Sequence, residues 1–172
     1  MQAFLNRKRT EPVSLDDLQE LLPDFKTIIY DDLENKPIKE IIGGKSGAIL
    51  YYDMHSKNGG KMEIGHFSLI LRRGDSLEYF SSYGFTPFQE IDKSRSDPEI
   101  FKDLFPSSMI VNKTRFQRIK NTDTCGRWVL LRAKFKNLSL KEFTRLFGSR
   151  RFSIQSLDDL AVLATAAFVD LD

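Results

Sequence analysis

Residues 47–80 read GAILYYDMHSKNGGKMEIGHFSLILRRGDSLEYF, and their pattern decides the fold class. Gly47 to Tyr52 is a continuous apolar run, as a central strand buried on both faces requires. The loop Ser56-Lys57-Asn58-Gly59-Gly60 interrupts it, and His66 to Leu71 (HFSLIL) resumes an extended apolar pattern. Arg73-Gly74-Asp75-Ser76 then turns the chain into Leu77 to Phe80, a hairpin partner for the preceding strand. Strands therefore occupy the middle of the chain.

Helical periodicity takes over on either side. Ser14-Leu15-Asp16-Asp17 is a helix start with Ser14 as N-cap and Asp17 at the capping-box position. Leu15, Leu18, Leu21 and Leu22 form its apolar stripe, and Pro23 stops it. Thr27 to Tyr30 reads as a short strand, and Pro37 to Ile42 as a turn or two of helix ended by Gly43-Gly44. Asp97-Pro98-Glu99 opens a short helix carrying Ile100, Leu104 and Phe105, and Ser108 to Val111 reads as a further strand. Asn112 to Thr124 is a polar loop around Phe116-Gln117. Cys125 leads a helix to about Phe135. A capping box at Ser139 to Glu142 starts another, ending near Gly148, and Ser156 to Asp159 starts a third. The fold class is α+β: a central mixed sheet of about five strands flanked by helices, with the cysteine at a helix N-terminus. Residues 1–13 read as a polar, basic, loosely held arm, and 14–172 as a single domain.

Composition agrees with one globular domain. The chain has 172 residues, 41% of them hydrophobic and 29% charged, which is neither disordered nor large enough for two comfortable domains. Its formal net charge of +2 is too small to argue for nucleic acid on its own. The clusters Arg7-Lys8-Arg9, Arg72-Arg73 and Arg150-Arg151 read first as solvated surface. No apolar run approaches the ~18 residues of a membrane span, and the N-terminus lacks the apolar segment of a secretory signal. With one cysteine the chain forms no internal disulfide, which fits a reducing compartment and a protein that is not secreted.

That cysteine sits in Asp123-Thr124-Cys125-Gly126-Arg127-Trp128, where polar sequence becomes helix-periodic. A thiol there meets unpaired backbone N–H groups and the positive end of the helix dipole, and both favour the nucleophilic thiolate. Upstream stand His66, one of two histidines, and Gln117. Cysteine catalysis needs a thiolate, an imidazole to shuttle its proton and donors for the oxyanion, and these three residues supply one of each. Other chemistries fit poorly. One Cys and two His have no metal-ligand spacing, Gly43-Gly44-Lys45-Ser46 lacks the first glycine of a phosphate loop, and no Gly-x-Ser-x-Gly elbow occurs.

The ordered set Gly65-His66-Phe67, Tyr79-Phe80-Ser81-Ser82-Tyr83-Gly84-Phe85, Gln117 and Thr124-Cys125-Gly126 resembles the adenovirus-type maturation proteases. That group shares a clan with the SUMO-deconjugating proteases, and has versions in large DNA viruses, virophages and Polinton-type elements. The resemblance runs from about Gly47 to Phe135. It implies that Cys125 is the nucleophile, His66 the base and Gln117 an oxyanion donor. It also implies that Phe67, where relatives carry Trp, and Gly126 border the substrate. The substrates would be viral structural precursors cut at small, Gly-rich sites, at the virion or its assembly site in the host cell, by a monomer that engages no membrane. No cofactor is required, although DNA or a small peptide activates adenovirus-type relatives, and the basic patches offer nucleic acid a surface.

The departure is Ser81, where relatives carry an acid that orients the histidine. Three expectations follow. The site works as a Cys-His dyad with Ser81 as orienter, which is the preferred one; or Glu78 or Asp75 swings in; or the enzyme is weakened. Two alternative functions stay open beside the maturation protease. One is a ubiquitin- or SUMO-type deconjugating protease. The other is a weakened, nucleic-acid-binding virion protein on the same fold.

Overall fold

The computed structural model describes residues 1–33, 36–56, 60–101, 104–147 and 156–169, with the side chains of 61–64 and 101 set aside. The loop centre Lys57-Asn58-Gly59, the helix stop at Gly148 and the pair Arg150-Arg151 lie outside the described residues.

Five strands form one open mixed sheet in chain order: β1 (Phe25–Ile29), β2 (Gly47–His55), β3 (Lys61–Arg73), β4 (Ser76–Ser81) and β5 (Ile110–Val111). The three middle strands run antiparallel, while β1 and β5 join the edges in parallel. Among the described residues the α-helices are α1 (Gln2–Thr10), α2 (Leu15–Leu21), α3 (Ile38–Ile42), α4 (Pro87–Ser94), α5 (Cys125–Lys134), α6 (Leu140–Phe147) and α7 (Leu157–Val169), and Tyr30–Asp32 and Pro98–Phe101 are 3-10 turns. The fold is α+β, as the middle of the sequence predicts.

Alternation along the strands divides the core in two. Ile49, Leu69, Leu71 and Phe80 face Trp128 and its neighbours on α5, together with Phe143 of α6. Ala48, Leu50, Tyr52, Ile70, Leu77 and Tyr79 face the other way, onto Ile91 of α4 and Ile38 and Ile42 of α3. The sheet is thus covered on both faces, which explains the unbroken apolar run at Gly47–Tyr52. Gly47 lacks a side chain for a steric reason: a Cβ there would stand 2.0 Å from the Ile70 carbonyl oxygen.

The capping boxes are present at Ser14–Asp17 and Ser139–Glu142, while Ser156 Oγ accepts the Asp159 N–H and donates to Asp159 Oδ2. Two elements differ from the sequence reading. Residues 1–13 are not a loosely held arm. Gln2–Thr10 is helical and packs against α7, with Leu5 and Val13 buried. Arg9 approaches Asp159 of α7 at 2.7 Å, an ion pair without the alignment of a linear hydrogen bond. The arm's basic residues disguise it, because only a few apolar side chains mark its buried side. The second difference is α4, which falls in a stretch that sequence periodicity leaves unassigned. Thr86 and Gln89 form a capping box there, with Pro87 at the first helical position.

Candidate functional site

Cys125 is the first residue of α5, so its backbone N–H has no partner within the helix. The thiol is largely buried and borders a cleft of about 390 Å³. Phe67 and Tyr51 form one side of that cleft, their rings 4.8 Å apart, and Pro12, Val13 and Leu15 form the other. Gly65 also lines it: a Cβ there would fall within 2.1 Å of the Tyr51 ring, so only glycine lets Tyr51 lie across the strand.

His66 is on β3, facing away from Phe67 as alternation requires. Its ring is buried and lies within hydrogen-bonding reach of Cys125. His66 Nε2 is 3.1 Å from Glu90 Oε1. The Nε2–Glu90 contact lacks linear hydrogen-bond geometry, so its pull is mainly coulombic. Burial alone would push the imidazole pKa down. The Glu90 charge and the bond to Cys125 overcome this and lift it from 6.5 to about 10. His66 is therefore an imidazolium at neutral pH. Tyr83 packs against its ring at 4.7 Å, and burial together with the charges of Cys125 and Glu90 pushes the Tyr83 hydroxyl up to about 12.

Glu90, not Ser81, is the residue whose side chain faces His66. It comes from the first turn of α4 and is buried. Ser81 is not the orienter of His66: its hydroxyl donates to Glu90 Oε1, and its Oγ accepts the Tyr83 N–H at 3.2 Å. Serine at this position braces the Glu90 carboxylate. Neither other candidate swings in. Glu78 lies on the opposite face of β4, where Oε1 and Oε2 take Arg132 at 2.7 and 2.9 Å and Arg73 adds a further bond. Asp75 is exposed at the Gly74 turn. Sequence reasoning missed Glu90 because the acid belongs to a separate element. The signal was Thr86-Pro87-Phe88-Gln89, a helix start that carries Glu90 into its first turn.

Gln117 is buried in the loop leading to Cys125. Its Oε1 accepts the Ser82 hydroxyl at 3.0 Å and its Nε2 donates to the Thr122 carbonyl. Nε2 also reaches Thr122 Oγ1 at 3.4 Å, so the amide is held within its own loop. Phe116 and Gln117 N–H groups both donate to the Ser82 carbonyl, which ties this loop to the end of β4. Gly126 lies under the cleft instead of lining it: a Cβ would meet Val13 Cβ at 3.1 Å and Phe67 at 3.5 Å. The structure thus brings Cys125, His66, Phe67 and, newly, Glu90 together, with Ser81 one step behind and Gln117 in the adjoining loop.

Among the described residues no group of histidine, cysteine and carboxylate side chains could hold a metal ion, and no helix is long and apolar enough to cross a membrane. No family model matches the chain. A protein described as uncharacterized protein V9, from Sputnik virophage, is 28% identical over 145 residues, covering 75% of this chain and 79% of that protein. The similarity supports a viral origin, of the virophage kind, for this chain.

Proposed function

We propose that the chain is a cysteine endopeptidase of the adenovirus-type maturation class, cutting viral capsid or core precursors at small, Gly-rich sites during particle assembly. The observation that carries this reading is the buried Cys125–His66–Glu90 series at the edge of an apolar cleft. A carboxylate, an imidazolium and a thiol in sequence have a clear chemical use and little structural one, since burying charge without function is costly. The open mixed sheet with the cysteine at the start of α5 is in keeping with that class.

In the reaction, Cys125 Sγ attacks the scissile carbonyl carbon as thiolate, while His66 holds the proton. The carbonyl oxygen becomes an oxyanion facing the Cys125 N–H, and Gln117 serves as the second donor by turning an amide N–H from Thr122 to the oxyanion. His66 passes its proton to the leaving amine as the C–N bond breaks, which leaves a thioester on Cys125. Water, deprotonated by the now neutral imidazole, hydrolyses the thioester and restores the thiol. Glu90 stabilises the imidazolium and fixes the ring, the part an aspartate plays in a Ser-His-Asp triad.

The test is incubation of the protein with candidate capsid precursors, wild type beside Cys125→Ala, with mass spectrometry of the product ends. Cleavage by wild type and none by the variant, at unchanged thermal stability, is the expected result. Equal cleavage by both would sink the proposal.

A further inference from the structure

Asp158, in the first turn of α7, is fully buried, and its carboxylate joins the two ends of the loop between Gln117 and Cys125. Oδ2 accepts the N–H groups of Arg118 and Ile119 at 3.0 Å each, and Oδ1 accepts the Thr124 hydroxyl at 2.6 Å. Arg118 directly follows Gln117, and Thr124 directly precedes Cys125. The next residue of α7 works on the same loop from outside: Asp159 pairs with Arg9, whose carbonyl accepts the Asp123 N–H at 2.7 Å.

The Thr124 bond has a second consequence. Thr124 is the N-cap of α5, and a threonine there ordinarily turns its hydroxyl back onto the helix's own free N–H groups. Here it makes no such cap bond, because the hydroxyl points to Asp158. Thr124 therefore caps none of the N–H groups that follow it in α5.

We propose that Asp158 is a positioning residue for the oxyanion side of the site. It holds Gln117 and the N-terminus of α5 in register, and it draws the Thr124 hydroxyl off the N–H groups that would otherwise take it. This role rests on Cys125 being the nucleophile, and it concerns one half of the chemistry only. His66 and Glu90 sit on β3 and α4, outside the clamp, so the group that takes the thiol proton is held without Asp158.

Two small probes separate these halves in the full chain without knowledge of the natural substrate. With p-nitrophenyl acetate, Sγ attacks the acetyl carbonyl and an oxyanion forms. The C–O bond to the p-nitrophenyl group then breaks, p-nitrophenolate leaves with the electron pair, and an acetyl thioester remains on Cys125. With iodoacetamide, Sγ displaces iodide in one step, with no oxyanion. Asp158→Ala should slow acylation by about 10- to 100-fold, the usual scale for a misplaced oxyanion donor, and leave alkylation unchanged. Asp158→Asn should recover most of the acylation rate, because its carbonyl oxygen can serve the two backbone N–H groups and its amide can face Thr124. Thr124→Val, which removes a single bond, decides the matter if Asp158→Ala does not fold: slower acylation at unchanged alkylation supports the role, and equal effects on both overturn it. Acylated wild type beside an unimpaired Asp158→Ala overturns the positioning role alone. Wild type no faster than Cys125→Ala overturns the nucleophile and, with it, the positioning role.

Discussion

At the scale of single residues, Glu90 and not Ser81 is the group that faces His66. The acid that faces His66 sits nine positions downstream of the strand end, and the serine donates to it. Adding a carboxylate at Ser81 therefore does not restore a missing group. Ser81→Asp would bury a second negative charge against Glu90, and like charges at that distance cannot both ionise cheaply. Its activity should fall below wild type, with a lower Tm. Glu90→Gln removes the charge that lifts the imidazole, and kcat should drop by at least about tenfold as the base loses its preferred protonation state. Steady-state rates of the two variants check this; a faster Ser81→Asp enzyme would return the orienting role to position 81. None of this arrangement is legible in the local motif, because Tyr79-Phe80-Ser81-Ser82-Tyr83-Gly84 reads the same whether or not a helix passes behind it.

Among the elements, α4 is the one on which the site depends. It is short, and the reciprocal bonds between Thr86 and Gln89 anchor the turn that carries Glu90. Thr86→Ala should cost about 1 kcal/mol of stability through the lost cap. It should also reduce activity beyond what the stability change explains, since Glu90 lies in that turn. Denaturant unfolding beside turnover measures both, and a stability loss with full activity would mean that Glu90 is held by Ser81 and His66 alone. The helix was legible in principle, since a capping box with proline at the first position is a start signal. It lacks the long apolar stripe that makes α2 or α5 plain. β5 was legible in place but not in extent: parallel pairing with β4 covers only Ile110–Val111.

For the molecule as a whole, the buried His66–Glu90 pair couples stability to pH. The folded imidazole titrates at about 10 against 6.5 for the free group, so the native state holds a proton that the unfolded chain releases first. The stabilisation is complete below the lower value and is lost as pH rises toward the upper one, at about 1.4 kcal/mol per pH unit inside that window. Wild type should therefore lose stability between neutral pH and pH 9 more steeply than Glu90→Gln, which lacks the lifting charge. Urea unfolding at several pH values measures the two slopes, and parallel slopes would contradict the assignment. The α+β class, the middle strands, two capping boxes, and the candidacy of Cys125 and His66 were determined by the sequence alone, because apolar periodicity and caps act over a few residues. Only the tertiary structure decided that Gln2–Thr10 is a docked helix, that Glu90 stands where Ser81 was expected to serve, and that Asp158 holds the loop into Cys125. Each of these is a buried charge meeting its partner across a long stretch of chain, and no local pattern records such a meeting: burial sets which charges must pair, and the packing of α1, α4 and α7 sets with whom.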